Sequence, residues 1–426
     1  MTEEFLHYIW KYKHFNQNNL RSENGAKIII DNEGTYNLGA GPDFNNSKIF
    51  IQDITWVGNV EIHINSSDWY IHGHQNDPVY SKTILHVVWN HDKPVYDLNN
   101  NEIPVLVLKG RVSATLLANF KSLQFGQNKI MCAGLTPTLN PFETFQWLNR
   151  LLVERLERKV IEIKSLFEQT NNDWEQTFFI VLSKNMGFKI NELPMTLLAK
   201  SIDFKTILKN QDKPIVIESI FYGVAGLLSK RPTDSYMKRL TEEFKHQKVK
   251  YGLEELDHSM WKFGRIRPSN FSTLRISQLV NLIHTRGNLF HFLIRDFNLN
   301  IDLKTLNIET SKYWETHYVF GKESKEKVKR LGSNSVENIM INTIAPMLFF
   351  YGKETLSSKH EEMAIDLLDK LPHEKNYIVR NWNQNNIFAK NASDSQSLIE
   401  LTNNYCVLKK CLNCGIGIQI LKNGPN

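Results

Sequence analysis

The hydrophobic period of the chain changes once, and that change limits the folds open to it. Up to about residue 115 the apolar residues come in short β-type runs. These are KIII (Lys27 to Ile30), KIFIQD (Lys48 to Asp53), WVGNVEIHI (Trp56 to Ile64), TILHVVW (Thr83 to Trp89) and IPVLVLKG (Ile103 to Gly110). An amphipathic stretch, Glu3 to Phe15, precedes them and predicts an opening helix. The order is then helix, three strands, a polar connection with room for a short helix, and two more strands. From Asn140 the period lengthens. Asn140 is an N-cap, Pro141 takes the first helical position and Glu143 completes a capping box. Phe145, Leu148, Leu152, Leu156, Val160, Ile163 and Phe167 then recur at three- and four-residue spacing on one face. Further helices are expected around Trp174 to Met186, Met195 to Ala199, Ile215 to Leu228, Thr273 to Thr285, Glu361 to Leu371 and Ser395 to Tyr405. At about 150 residues per domain, 426 residues allow two to three domains. The expectation is an α/β mixed-sheet domain over 1–130, a mainly α-helical domain over 131–402 and a cysteine-containing tail over 403–426.

The longest apolar runs, Ile339 to Tyr351 and Ile215 to Leu228, are broken by Asn342, Pro346, Glu218 and Gly223, so they read as core helices and not membrane spans. The N-terminus, MTEEFLHYIW, has no basic region before an apolar one and does not read as a secretory signal; a cytoplasmic location is expected. Lysine plus arginine exceeds aspartate plus glutamate by 51 to 45, a surplus of six that permits a polyanionic partner without requiring one.

The alternation over Asn59 to Asn65 puts Val60, Ile62 and Ile64 on one face of a strand and Asn59, Glu61, His63 and Asn65 on the other. A half-exposed antiparallel strand would leave that polar face in water. If the face is buried, its groups need partners, a metal ion among them. Asp43 lies in a Pro-Asp turn just before the preceding strand. Asp43 and Glu61 from adjacent strands can share a hard divalent cation such as Mg2+ or Mn2+. The pattern Pro42-Asp43, a gap, then Glu61-Ile62-His63 resembles the PD-(D/E)xK motif of the restriction-endonuclease-like nucleases, and the strand order resembles that superfamily's core. The resemblance implies that Asp43 and Glu61 hold the metal. His63 stands where the family has a lysine that positions the attacking water, so His63 would either assist the water or ligate the ion. Lys48, on the preceding strand, is the alternative assistant. A histidine ligand would shift preference from Mg2+ toward Mn2+ or Zn2+.

His63, His72, His74 and His86 crowd into a short stretch with Asp68 and Asp77, which leaves a zinc or manganese site open as a second arrangement. Satisfied strand and loop histidines explain each of them equally well when taken singly. The spacing does not fit the HxHxDH motif of metallo-β-lactamase-type hydrolases. Cys406, Cys411 and Cys414 form a CxxxxCxxC cluster near the end, and Cys132 is the one cysteine left to complete a four-thiolate site. Zinc, an iron-sulfur cluster and metal-free reduced thiols all remain open there. In WKFGRIRPSNFSTLR, Trp261, Arg265, Arg267 and Arg275 are candidates for stacking and phosphate contacts. The competing reading is a packed loop whose arginines pair with nearby carboxylates. The charged run Lys322 to Gly332 reads as a solvated helix face. No Walker, GxGxxG, GxSxG or HExxH motif occurs.

Taken together, GPDF, WVGNVEIH, SSDWYIHGHQNDPVY, ILHVVW, RIRPSNFSTLRISQL and YCVLKKCLNCGIG resemble a bacterial family of full-length proteins catalogued only as a domain of unknown function. The resemblance carries no activity with it. The residues lead to a metal-dependent nuclease acting on DNA or RNA as the first expectation. A non-catalytic nucleic-acid-binding or scaffold protein with a structural cysteine-metal site is the second, and a histidine-rich metallohydrolase of a small molecule the third.

Overall fold

The structure is a computed structural model that describes residues 1–125, 130–136, 139–229, 231–298 and 308–423. The chain forms two compact units, one of residues 1–147, 384–387 and 401–426 and the other of residues 148–383 and 388–400. The C-terminal segment expected as a separate tail therefore belongs to the first unit.

In the first unit, helix α1 (Glu3–Lys11) is capped by Thr2, whose Oγ1 accepts the Phe5 amide at 3.3 Å. It ends earlier than its amphipathic pattern suggests because Lys13 adopts a left-handed φ of 53° and the His14 amide turns back to the Ile9 carbonyl. Phe5, Leu6, Tyr8, Ile9 and Trp10 are its buried residues. A six-stranded mixed sheet follows, made of β1 (Ile28–Asn32), β2 (Thr35–Tyr36), β3 (Phe44–Ile51), β4 (Ile54–Asn65), β5 (Thr83–Asn90) and β6 (Val105–Val107). Its main order is β1-β3-β4-β5-β6; the first three are antiparallel, and β4, β5 and β6 run parallel. The expected order of helix and strands is thus present, with β2 as an added short edge pairing.

The β3–β4 hairpin turns on only Gln52 and Asp53, with Gln52 at φ 57°, so β3 and β4 meet directly at Ile51 and Ile54. A bulge shifts the β3 register between Phe44 and Ser47, with Asn46 at φ 58°. Gly34, at φ 91°, brings the backbone so close to β3 that a Cβ there would stand 2.4 Å from Ser47 Oγ. After β4 the short helix α2 (Asp68–Ile71) is fastened at several points. The Asp92 carboxylate accepts from the Ser66 and Ser67 hydroxyls, and Trp69 is buried with Val88, Val95, Ile103 and Val105.

The second unit is helical. Its first helix continues from the first unit: the helix Pro141–Gln169 begins where the capping pattern predicts, with Asn140 Oδ1 accepting the Phe142 amide at 2.9 Å, and enters the second unit at Leu148. The helices Trp174–Met186, Glu192–Lys200, Pro214–Val224, Ser272–Arg286, Ser358–Lys370 and Ala392–Leu401 overlap the expected segments. The helix Ser235–Tyr251 has no counterpart in the sequence reading, because only Met237, Leu240, Phe244 and Gln247 of its residues are buried. Lys322 to Gly332 is not a helix. It begins as a two-residue strand and continues irregularly, and Lys329 is buried with its ammonium donating to the Trp314 and His317 carbonyls. In this unit the buried Glu218 accepts from the Tyr236 and Ser311 hydroxyls, each at 2.6 Å. Among the described residues no helix is long and apolar enough to cross a membrane.

Candidate metal centre

The polar face of β4 is buried. Glu61 is 5% exposed and His63 2%, so the half-exposed alternative for this strand does not hold. Parallel pairing sets Glu61 opposite His86 of β5, which is 0% exposed, and this brings His86 to the same face. Asp43, from the turn before β3, and Glu61 are joined reciprocally. The Asp43 amide donates to Glu61 Oε2 at 3.2 Å, and the Ile62 amide donates to Asp43 Oδ2 at 2.9 Å. The two carboxylates are thereby held at one place by the backbone of the two strands.

The histidines converge on the same spot. Anchored by Trp69, α2 leads into His72, and Gly73 at φ 77° reverses the chain so that His74 turns back as well. His63 Nδ1 lies 2.8 Å from His86 Nε2, and His63 Nε2 lies 3.0 Å from His72 Nδ1. His74 Nε2 and His63 Nε2 approach Glu61 Oε1 to 3.3 and 3.6 Å. One ligand atom from each of His63, His72 and His74 lies within 4.8 Å of the others, the one such trio among the described residues. Tyr80 stacks on the His74 ring at 3.8 Å, and Trp69 meets it edge-on at 5.3 Å, so the ring is held in orientation by aromatic walls. The site is graded in access: His63 is buried, His74 partly so and His72 exposed.

Its electrostatics describe a nest of lone pairs. Burial, reinforced by the neighbouring His86, His72 and His74, pushes the His63 pKa down to about 2. Burial also lowers His86 to about 3, with His74 and His91 adding to it. Both rings are therefore neutral at physiological pH, each with one ring proton for two ring nitrogens. Burial raises the Glu61 carboxyl above its ordinary range; His74 pulls it down and Asp43 pushes it up. Buried His74 Nε2 and His86 Nδ1 have no hydrogen-bond partner of suitable geometry. Two carboxylates and three imidazoles converging with orphaned nitrogens suit a divalent cation, and the mixed nitrogen and oxygen donors suit Mn2+ or Zn2+ better than Mg2+.

Three participants carry no obvious mark in the sequence. His7 of α1 places Nε2 3.2 Å from Asp43 Oδ2, and Glu3, one helical turn earlier, lies close enough to feel His72, His7 and Asp43. The i, i+4 spacing of Glu3 and His7 is the signal that puts them on one helix face. Tyr80 is the third. Burial, with Glu61 and Asp43 adding to it, pushes its hydroxyl up to about 12.

Other expected residues lie elsewhere. Lys48 does not assist this site. It pairs with Val57 in the β3–β4 register, four residues or about 13 Å along β4 from Glu61, and its ammonium is held by Asp31 at 2.9 Å. Trp261 and Arg275 belong to the second unit and are interior residues, 5% and 4% exposed, which corrects their assignment to phosphate contacts. Trp261 Nε1 donates to the Ala225 carbonyl, while Arg275 binds Gln278 and Asn270 and lies over the Phe188 ring. Arg275 is thereby used in packing the start of the helix Ser272–Arg286, and Trp261 in packing against the end of the helix Pro214–Val224. Arg265 and Arg267 of the same segment are exposed. Cys132, Cys406, Cys411 and Cys414 form a separate group in the first unit.

No curated protein and no solved structure matches the chain. Residues 3–377 match the model of the family described as protein of unknown function (DUF2851), and the chain belongs to that family.

Proposed function

We propose that the protein is a metal-dependent phosphodiesterase, with nucleic acid as its substrate class and its centre on Asp43, Glu61 and the histidines around them. The observation that carries this reading is the reciprocal tie between Asp43 and Glu61, placed against the trio His63, His72 and His74. The strand order and the position of the two carboxylates at a turn and on the next strand support a nuclease over other hydrolases. A divalent ion held there would polarise a phosphoryl oxygen and acidify a water molecule. Asp43 and Glu61 supply its oxygen ligands, and His63, His74 and His72 its nitrogen ligands. His86 fixes the orientation of the His63 ring through their 2.8 Å contact, as an outer partner of a ligand does. Tyr80 keeps its proton at neutral pH and so acts as a neutral donor to a phosphate oxygen. Of the three nitrogen ligands His72 is the one exposed to solvent, and so marks the side from which substrate would reach the ion.

The convergence of four histidines favours one other reading, a metallohydrolase of a small phosphodiester. A single experiment separates the two. Purified protein is assayed on labelled single- and double-stranded DNA and RNA, and on bis(p-nitrophenyl) phosphate, with Mg2+, Mn2+, Zn2+ or EDTA, beside folded Asp43→Ala and Glu61→Ala variants. Metal-dependent cleavage of the polymers, lost in both variants, supports the nuclease. Turnover of the small diester alone moves the assignment to the second reading. No turnover of either substrate with any metal rejects both.

A further inference from the structure

Every cysteine of the chain is at one place. The four are Cys132, Cys406, Cys411 and Cys414, and none is in a disulfide. Each lies in the field of the other three: Cys411 and Cys414 act on Cys132, all of these act on Cys406, and Cys411 acts on Cys414. Cys132, Cys406 and Cys414 are buried and Cys411 is partly so.

The backbone is arranged to bring them together. The turn Thr402–Cys406 closes with the Lys409 amide donating to the Cys406 carbonyl at 3.0 Å, and the Cys414 amide turns back to the Cys411 carbonyl at 3.3 Å. Gly417 packs so tightly on this loop that a Cβ would stand 2.1 Å from the Cys411 carbonyl oxygen. The stretch that follows Cys132 is tied to the same loop by the Asn140 amide on Gln419 at 2.9 Å, and by the Trp147 ring, which packs on Gly415 and lies 5.3 Å from Tyr405. Burial pushes the Cys414 thiol up to about 11, against the pull of the Gly417 and Ile416 amides in the first turn of the helix Gly415–Asn423. Burial raises all four thiols, so they ionise only with a cation to compensate the buried charge, and the amides at the helix N-terminus point the Cys414 sulfur toward that outcome.

We propose that Cys132, Cys406, Cys411 and Cys414 bind one thiophilic metal centre through their four sulfurs, separate from the centre on β4. Four thiolates are the ligand set of structural zinc and of iron-sulfur clusters alike. The spacing bears on which is bound. A single zinc ion about 2.3 Å from each sulfur draws the sulfurs to about 3.8 Å of one another, whereas no cysteine trio among the described residues lies within 4.8 Å. Zinc therefore requires the loop to tighten; a polynuclear cluster holds its sulfurs wider apart.

The test is metal analysis of the full chain purified without added metal, once in air and once under anaerobic conditions. Zinc, iron and acid-labile sulfide are measured and the visible spectrum is recorded. The expected result is a stoichiometric metal centre that is retained in Glu61→Gln, where the β4 site is weakened, and falls to background when Cys414→Ser or Cys406→Ser is added to Glu61→Gln. Zinc alone identifies the single-ion form. Iron with equimolar sulfide and a broad visible band identifies the cluster. Should the serine variants fail to fold, thiol labelling of the native chain decides. The proposal requires protected thiols that become reactive as metal is stripped and released. A metal-free chain under both conditions, metal retained when either serine change is added to Glu61→Gln, or thiol reactivity indifferent to metal removal overturns it.

Discussion

Replacing Glu61 by Gln tests what the buried face of β4 is for. Without metal, a carboxyl group there sits beside Asp43 and 3.3 Å from Nε2 of His74. Gln keeps the shape. Its oxygen still accepts the Asp43 amide, as Glu61 Oε2 does at 3.2 Å, and its amide group donates to an unprotonated His74 Nε2, where the carboxylate accepts from the protonated one. The hydrogen bonds are exchanged one for one, and the variant is spared the burial of a carboxyl beside Asp43, a relief comparable to one net hydrogen bond, about 0.5–1.5 kcal/mol. In chelator at neutral pH, Glu61→Gln is therefore expected to match the wild type or exceed it by about 1 kcal/mol, or about 2–4 °C in Tm for a unit of this size. Adding Mn2+ reverses the order. At about a hundredfold over its dissociation constant, an ion that binds only the folded state adds about 2.7 kcal/mol to the wild type, or about 5–10 °C, and the variant with its weakened site gains much less. Thermal and urea melts of both proteins, each in chelator and in Mn2+, give the four numbers needed. A variant that is less stable than wild type by more than about 1 kcal/mol in chelator would refute the reasoning, because Glu61 would then be a structural carboxylate. So would a wild-type melting temperature indifferent to Mn2+.

Other expectations concern the rest of the fold. In Gly223→Ala the new Cβ would stand 2.2 Å from the Phe244 ring, so overpacking should cost about 1–3 kcal/mol in urea denaturation. Arg275→Ala leaves Gln278 and Asn270 without their buried partner and should cost about 3 kcal/mol or more, whereas Arg265→Ala and Arg267→Ala, on exposed residues, should stay within about 0.5 kcal/mol. Burial raises the pKa of Glu218 above its ordinary value, against the pull of the Ser311, Tyr236 and Ser277 hydroxyls. An acid raised in the folded state contributes stability that is full below its unfolded pKa and is lost as pH rises through the folded value. The wild type should therefore lose stability relative to Glu218→Gln as pH rises above the ordinary carboxyl range, and parallel denaturation curves over a pH series check the slope. Lys48→Ala, about 13 Å along the sheet from Glu61, should leave turnover unchanged.

The period of two in Asn59 to Asn65 contains the essentials of the site. It puts Glu61 and His63 side by side, and the polar face is informative because a buried sheet has no reason to be polar without a partner. The loop histidines and His86 could be named from their density but not joined, since it takes parallel pairing of β5 with β4 to set His86 opposite Glu61. Lys48 misled because its place in the register depends on a bulge at Asn46 and a two-residue turn at Gln52, neither marked by glycine. Glu3 and His7 were hidden for another reason. Their spacing shows a shared helix face, but only packing of α1 beside β4 brings that face to Asp43, and such long-range contacts leave no local pattern. Trp261 and Arg275 show the converse: aromatic and basic residues interleaved at a helix start look alike whether they wait for a phosphate or pack inward.

The most direct test of the account is the position of a bound ion. A crystal of the chelated protein soaked in Mn2+ and measured at the manganese edge should give an anomalous peak bounded by Asp43, Glu61, His63, His72 and His74. The same soak of His74→Ala should give a weakened peak or none. A well-diffracting soaked crystal with no peak on that face of β4, or with manganese only elsewhere, would contradict the account.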